Sequence, residues 1–107
     1  MEDAEFHELA DEMLNHIAES VESADEDGVL HVDLIEGVLT IALHDEREMV
    51  LNKHESSQQI WMASPHSGAF RFTYDEHDEE WINSRADALA DVLAEELSEL
   101  AGIDVEI

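Results

Sequence analysis

The chain of 107 residues has no cysteine, a single proline, four glycines, and four Lys and Arg against 29 Asp and Glu. Without thiols there is no disulfide frame, no thiolate metal site and no cysteine nucleophile, and the composition fits a reducing cytoplasm, the expected location. The scarce cations, Arg47, Lys53, Arg71 and Arg85, exclude a nucleic-acid binder that works through basic patches. They equally disfavour docking on anionic membranes. No apolar run approaches the ~20 residues that span a bilayer. The acidic start, Met1 to Glu5, lacks the apolar segment of a secretory signal, so none is expected. Asp25-Glu26-Asp27-Gly28 fails the spacing of a calcium loop, and His-Glu-x-x-His and Gly-rich phosphate motifs are absent. Nothing is arranged as an activated nucleophile, so covalent catalysis is not expected.

What the chain does have is a formal charge of −25, with fifteen of its acids and none of its Lys or Arg in residues 1–46. A folded domain holds such repulsion only if something offsets it: cations, a basic partner, or a cold or salty habitat. With 44% hydrophobic residues and regular apolar periodicity, the chain reads as folded. Its length suits one domain over residues 1–107, burying roughly 65% of its unfolded surface.

Phe6, Leu9, Ala10, Met13, Leu14, Ile17, Ala18 and Val21 follow the three–four step of a helix with one apolar stripe. Asp3 is the expected N-cap, and the acidic turn Ser23 to Gly28 ends the helix. Alternation then gives strands over Leu30 to Ile35, Val38 to Leu43, Glu48 to His54, Gln58 to Ser64 and Phe70 to Tyr74, with Trp81-Ile82 a short sixth. Glu36-Gly37 reads as a hairpin turn and Pro65 to Gly68 as another turn. A second helix, capped by Asn83 or Ser84, carries Ala86, Leu89, Ala90, Leu93, Leu97 and Leu100 on its apolar face and stops at Gly102. Ile103, Val105 and Ile107 alternate in an extended tail. Helix, antiparallel strands, helix describes an α+β fold: a two-layer sandwich with both helices on one face of a sheet of five or six strands. The other sheet face stays open to a partner.

Two groups of residues carry chemistry. Asp3, Glu5, Asp11, Glu12, Glu19 and Glu22 on the first helix, with Asp25, Asp27 and Asp33 beyond it, form an acidic ridge. Carboxylates at i, i+3 and i+4 stand about 5–6 Å apart, and each like-charged pair costs roughly 0.7 kcal/mol in water. A cation between two of them reverses the sign. Oxygen donors suit hard ions such as iron, manganese, calcium and magnesium. A ridge holds them weakly and at several places. His7, at i±4 from Asp3 and Asp11, adds an imidazole that suits Fe(II) or Co(II). The bland alternative is a solvated charged face. The second group surrounds Trp61, which faces the open side if Ile60 and Met62 enter the core. Asn52, His54, Gln59 and Arg71 lie on flanking strands. A tryptophan ringed by amides and arginine has the composition of a protein-interaction hot spot.

Glu5 to Asp11, Gly37 to Ile41, Leu51-Asn52-Lys53, the block Gln59-Ile60-Trp61-Met62-Ala63-Ser64-Pro65-His66-Ser67-Gly68, Phe70-Arg71-Phe72 and Trp81 together resemble the frataxin family, most closely its bacterial (CyaY-type) members. The resemblance implies a compact sandwich that binds iron, as Fe2+ or Fe3+, at exposed carboxylates where other divalent ions can substitute. It further implies an iron donor or sensor in iron–sulfur cluster assembly that regulates a cysteine desulfurase next to the scaffold protein. The acidic positions above match the family's ridge, and Asn52, Gln59, Trp61 and Arg71 its partner-facing residues. His54 departs from the family, where many members carry glutamine. A monomer, with iron-induced oligomers, is expected, and no enzyme activity. Two further readings stand beside this one. Ferroxidase or storage activity needs Glu and Glu-x-x-His ligands buried between helices. An acidic nucleic-acid mimic needs evenly spaced charge and gives the Gln-Ile-Trp block no role. Acid beyond the ridge, including Asp87, Asp91, Glu95, Glu96 and Glu99 of the second helix, fits either a cold- or a salt-adapted source.

Overall fold

The computed structural model describes residues 1–107. Helix α1 (Asp3–Ala24) leads into six strands, β1 (His31–Ile35), β2 (Val38–Ala42), β3 (Glu48–His54), β4 (Gln59–Ser64), β5 (Gly68–Asp75) and β6 (Glu80–Ile82), and helix α2 (Leu89–Ala101) follows. The strands form one antiparallel sheet in chain order. Such a meander needs only short turns. The first is Glu36-Gly37, with φ of 49° and 78°, the left-handed pair that matches the twist of a two-residue hairpin.

Alternation decides the two faces of the sheet. Leu39 and Ile41, Met49 and Leu51, Ile60 and Met62, Phe72 and Trp81 are buried. Phe6, Ala10, Leu14, Ile17, Ala18 and Val21 of α1 meet them, with Leu89, Leu93, Leu97 and Leu100 of α2. Both apolar stripes thus cover one sheet face, as the sequence reading expected. Phe6 meets Trp81 edge-on, ring centroids 6.0 Å apart. Gly102, at φ 67°, closes α2 in the left-handed conformation. Val105 of the tail is buried against the core, with Ile103 and Ile107 packed beside it.

Several boundaries differ from the expected ones. Glu2 is the N-cap of α1 and makes no side-chain cap. Asp3 is instead the first helical residue, and its carboxylate accepts a bond from Gln58 Nε2 at 3.1 Å. Leu43 falls outside β2, while Gln58 precedes β4 in a left-handed conformation and ends a 3-10 turn at Glu55–Ser57. The α2 start is the largest correction: Ala88, not Asn83 or Ser84, is its N-cap. The Asn83 Oδ1 does accept backbone bonds from Arg85 and Asp87, both at 2.9 Å. These close a turn on itself, in which Ala86 takes φ 64° and is exposed, so it does not join the apolar stripe.

Candidate metal face and partner face

The ridge residues divide by what holds them. Asp25 accepts from Val29 N at 2.9 Å and Leu30 N at 2.8 Å, which fixes the α1–β1 loop. Asp11 Oδ1 lies 2.9 Å from Lys53 Nζ, a cation that the sequence reading gave no part in the ridge. Lys53 continues the Met49, Leu51 side of β3, so its stem runs on the helix side and its side chain is only 18% exposed. His7 Nε2 stands 3.7 Å from Glu55 Oε1, and its Nδ1 is buried without a partner. Glu5, Glu12, Glu19, Glu22 and Asp27 are exposed and make no side-chain hydrogen bond or ion pair. No three His, Asp or Glu side chains converge on one point, so the donors form an open row and not a cage. Asp33 stands elsewhere. It alternates with the half-buried Val32 and Leu34, which pack on the core, so its carboxylate is on the face away from α1.

Only one phenol is near this acid. Partial burial, and then Glu79, Glu76, Glu12 and Glu5, push Tyr74 above its ordinary value of 10.0, because each disfavours a phenolate.

The open sheet face is different in kind. Within β2 to β5 the only acids are Glu48 and Asp75, each at a strand end. Register places Ile35, Val38, Asn52, Trp61 and Arg71 in one row across five strands. Trp61 is half-buried and clamped, less open than a free hot spot. His54 from β3 stacks on it, centroids 3.8 Å apart and planes 5° from parallel. The Arg71 guanidinium from β5 lies 4.7 Å from the ring centre. The indole Nε1 donates to Gln59 Oε1 at 2.9 Å, and Gln59 Nε2 donates to Thr73 at 3.2 Å. Asn52 Nδ2 donates to the Lys53 carbonyl at 3.3 Å. The structure therefore gathers Asn52, Gln59, Trp61 and Arg71 on one face. Ile35, 59% exposed, and Val38, 41% exposed, extend the row with apolar surface; strand alternation alone carried the signal for both.

Known proteins resemble this chain in sequence and in fold. The family model of the frataxin-like domain matches residues 1–103. The chain belongs to the frataxin family. The mitochondrial frataxin of Arabidopsis thaliana is 38% identical over the whole chain, which spans 59% of that protein's length. The iron–sulfur cluster assembly protein CyaY of Thioalkalivibrio sulfidiphilus is 34% identical, with each chain covered in full. Among solved frataxins, that of Psychromonas ingrahamii superposes with a TM-score of 0.87 over 99% of this chain and 97% of its own, at 22% identity, a likeness of fold alone. The trimeric frataxin of Saccharomyces cerevisiae, complexed with ferrous iron, gives a TM-score of 0.74 at 35% identity, over 88% of this chain and 86% of its own. No helix here is long and apolar enough to cross a membrane.

Proposed function

We propose that this frataxin-family chain is an iron-binding protein of iron–sulfur cluster assembly, acting in the cytoplasm as donor or sensor and as regulator of a cysteine desulfurase, without catalysis of its own. The observation that carries the reading is the separation of charge from the tryptophan face. Carboxylates crowd α1, while the middle of β2 to β5 carries none and presents Trp61 with Arg71. One molecule can then hold cations on one layer and a protein on the other. A cluster assembly name among full-length relatives and ferrous iron in the yeast relative support the assignment. Glu5, Glu12, Glu19, Glu22 and Asp27 take the ion first, because no protein group competes for them. Asp3, His7, Asp11 and Asp25 are already engaged and join only at higher load, whereas Asp33 belongs to the partner face. Exposed oxygen donors hold Fe(II) or Fe(III) weakly, as cargo for handover. The protein is a monomer that iron bridges into oligomers.

The exposed α1 carboxylates lack the enclosure of a di-iron oxidase, and an acid-free sheet centre does not resemble a nucleic acid. Both readings rank below the first. Trp61→Ala tests the reading. The ring lies outside the core, so the fold persists, while loss of a clamped aromatic anchor weakens the complex with desulfurase and scaffold about thirtyfold or more, the range of a hot spot. Unchanged binding by this folded variant would remove the sheet face from the account.

A further inference from the structure

A second site lies where the sheet is incomplete. Strand β5 runs from Gly68 to Asp75, but β6 pairs only with Thr73, Tyr74 and Asp75. The outer edge of β5 from Gly68 to Phe72, roughly 17 Å of extended chain, has no strand beside it. The Asn83–Asp87 turn folds the chain away at the point where a longer β6 would continue. The space left is a cavity of about 1000 Å³ between the β5 edge, this turn and α2. An unpaired edge offers backbone donors and acceptors to any extended chain that enters.

The cavity also collects unsatisfied charge of both signs. Of the four Lys and Arg, Arg47 is paired with Asp45 and Lys53 with Asp11. Arg71 and Arg85 make no ion pair, despite 29 acids in the chain, and both line this cavity together with Asp87. On the α2 wall Glu96 is only 6% exposed. Its Oε2 accepts from Ser67 at 2.9 Å, but its Oε1 is buried with no partner. A buried carboxylate oxygen without a donor is a costly arrangement that native folds rarely keep. Glu95 stands beside it on the same wall, with Phe70 and Val92 as apolar lining.

We propose that this groove binds an extended segment of a partner protein as an added strand on β5, with alternating acidic and basic side chains. Successive side chains of a strand point to opposite faces. Those on the open-face side meet Arg71 and Arg85 and are Asp or Glu. Those on the helix side lay an aliphatic stem on Phe70 and Val92 and carry a Lys or Arg head to Glu95 and Glu96. Arg71 belongs both to this groove and to the Trp61 row, so a protein seated on the open face can pass a segment directly into it. The inference in this respect rests on the partner reading above.

The test uses the full chain, labelled with nitrogen-15, and two capped peptides of one composition: Val-Asp-Lys-Asp-Lys-Val and the block isomer Val-Asp-Asp-Lys-Lys-Val. The alternating peptide is expected to shift amides of Ala69 to Phe72 and Glu95-Glu96, to slow hydrogen exchange along the β5 edge, and to bind about tenfold more tightly than the isomer. Glu96→Gln, which keeps the acceptor for Ser67, should weaken it about tenfold, the worth of one charge-assisted bond. Equal affinity of the two peptides, or shifts centred on α1, would overturn the groove while leaving the Trp61 reading standing. A Trp61→Ala chain that keeps the desulfurase but binds the alternating peptide would do the reverse.

Discussion

Lys53→Met isolates what one cation does in a chain of charge −25. The replacement keeps an unbranched stem of similar length and removes only the ammonium, which lies 2.9 Å from Asp11 Oδ1. At that distance the attraction is about 1.4 kcal/mol in a water-like medium. Asp11 is 50% exposed, so solvent screening brings the net value toward the ~0.2–1 kcal/mol of surface pairs. Repulsion newly felt among α1 carboxylates returns part of the difference, and a loss of about 1 kcal/mol is expected. For a domain of this size that lowers Tm by about 4 °C in low salt. The deficit should shrink at 1 M salt, where the screening length falls to about 3 Å. The proposed metal face moves the other way. An ammonium about 5 Å from a bound dication repels it by roughly 1.7 kcal/mol unscreened, so removing it should tighten cobalt(II) binding about fivefold in 0.1 M salt, after screening. Thermal melts at two salt concentrations and a paramagnetic cobalt titration measure both effects on one variant. A variant that melts like the parent and binds cobalt no more tightly would refute the idea that Lys53 both fastens α1 to β3 and competes with metal for Asp11.

Gly37→Ala should cost about 1–2 kcal/mol for a left-handed alanine at φ 78°. Its Cβ would also stand 2.5 Å from Lys53 Cε and displace that flexible stem, so the double variant with Lys53→Met should lose less than the sum; strict additivity in a denaturant cycle would separate the two residues. Tyr74 is the single tyrosine of the chain, so ultraviolet titration reads it alone. Its midpoint should lie above 10.0. Because the folded value is raised, its stabilising contribution is complete below the unfolded value near pH 10 and is lost as pH rises through the folded value; a midpoint at or below 10.0 would contradict the carboxylate environment described for β5.

The fold was legible where periodicity had no competitor. The α1 stripe from Phe6 to Val21 and the alternation of Met49, Leu51, Ile60 and Met62 each name one face, and register follows once the Glu36-Gly37 turn is placed. Trp61 was assigned to the open face by the same alternation, but its clamp was not visible, because His54 and Arg71 come from two other strands. The α2 start misled because Asn83 is a good cap by residue type, while its side chain can equally close a local turn. The ridge was read along one helix, so Lys53, which reaches Asp11 from β3, escaped it. Asp33 was grouped by nearness in sequence, although its alternation with Val32 and Leu34 carries it to the far side. The groove needed three-dimensional placement: nothing in Ser67, Arg85 or Glu96 alone marks them as neighbours.

The central claim is that acid on α1 is a cation-collecting face and not generic charge, since α2 is acidic as well. Residue-resolved NMR during a substoichiometric cobalt(II) or iron(II) titration tests it most directly. The account predicts that signals of Glu5, Glu12, Glu19 and Glu22 broaden first, with those of Asp91 and Glu99 on α2 unaffected at the same metal ratio. Simultaneous broadening on both helices would contradict it and reduce the ridge to part of a uniformly charged surface.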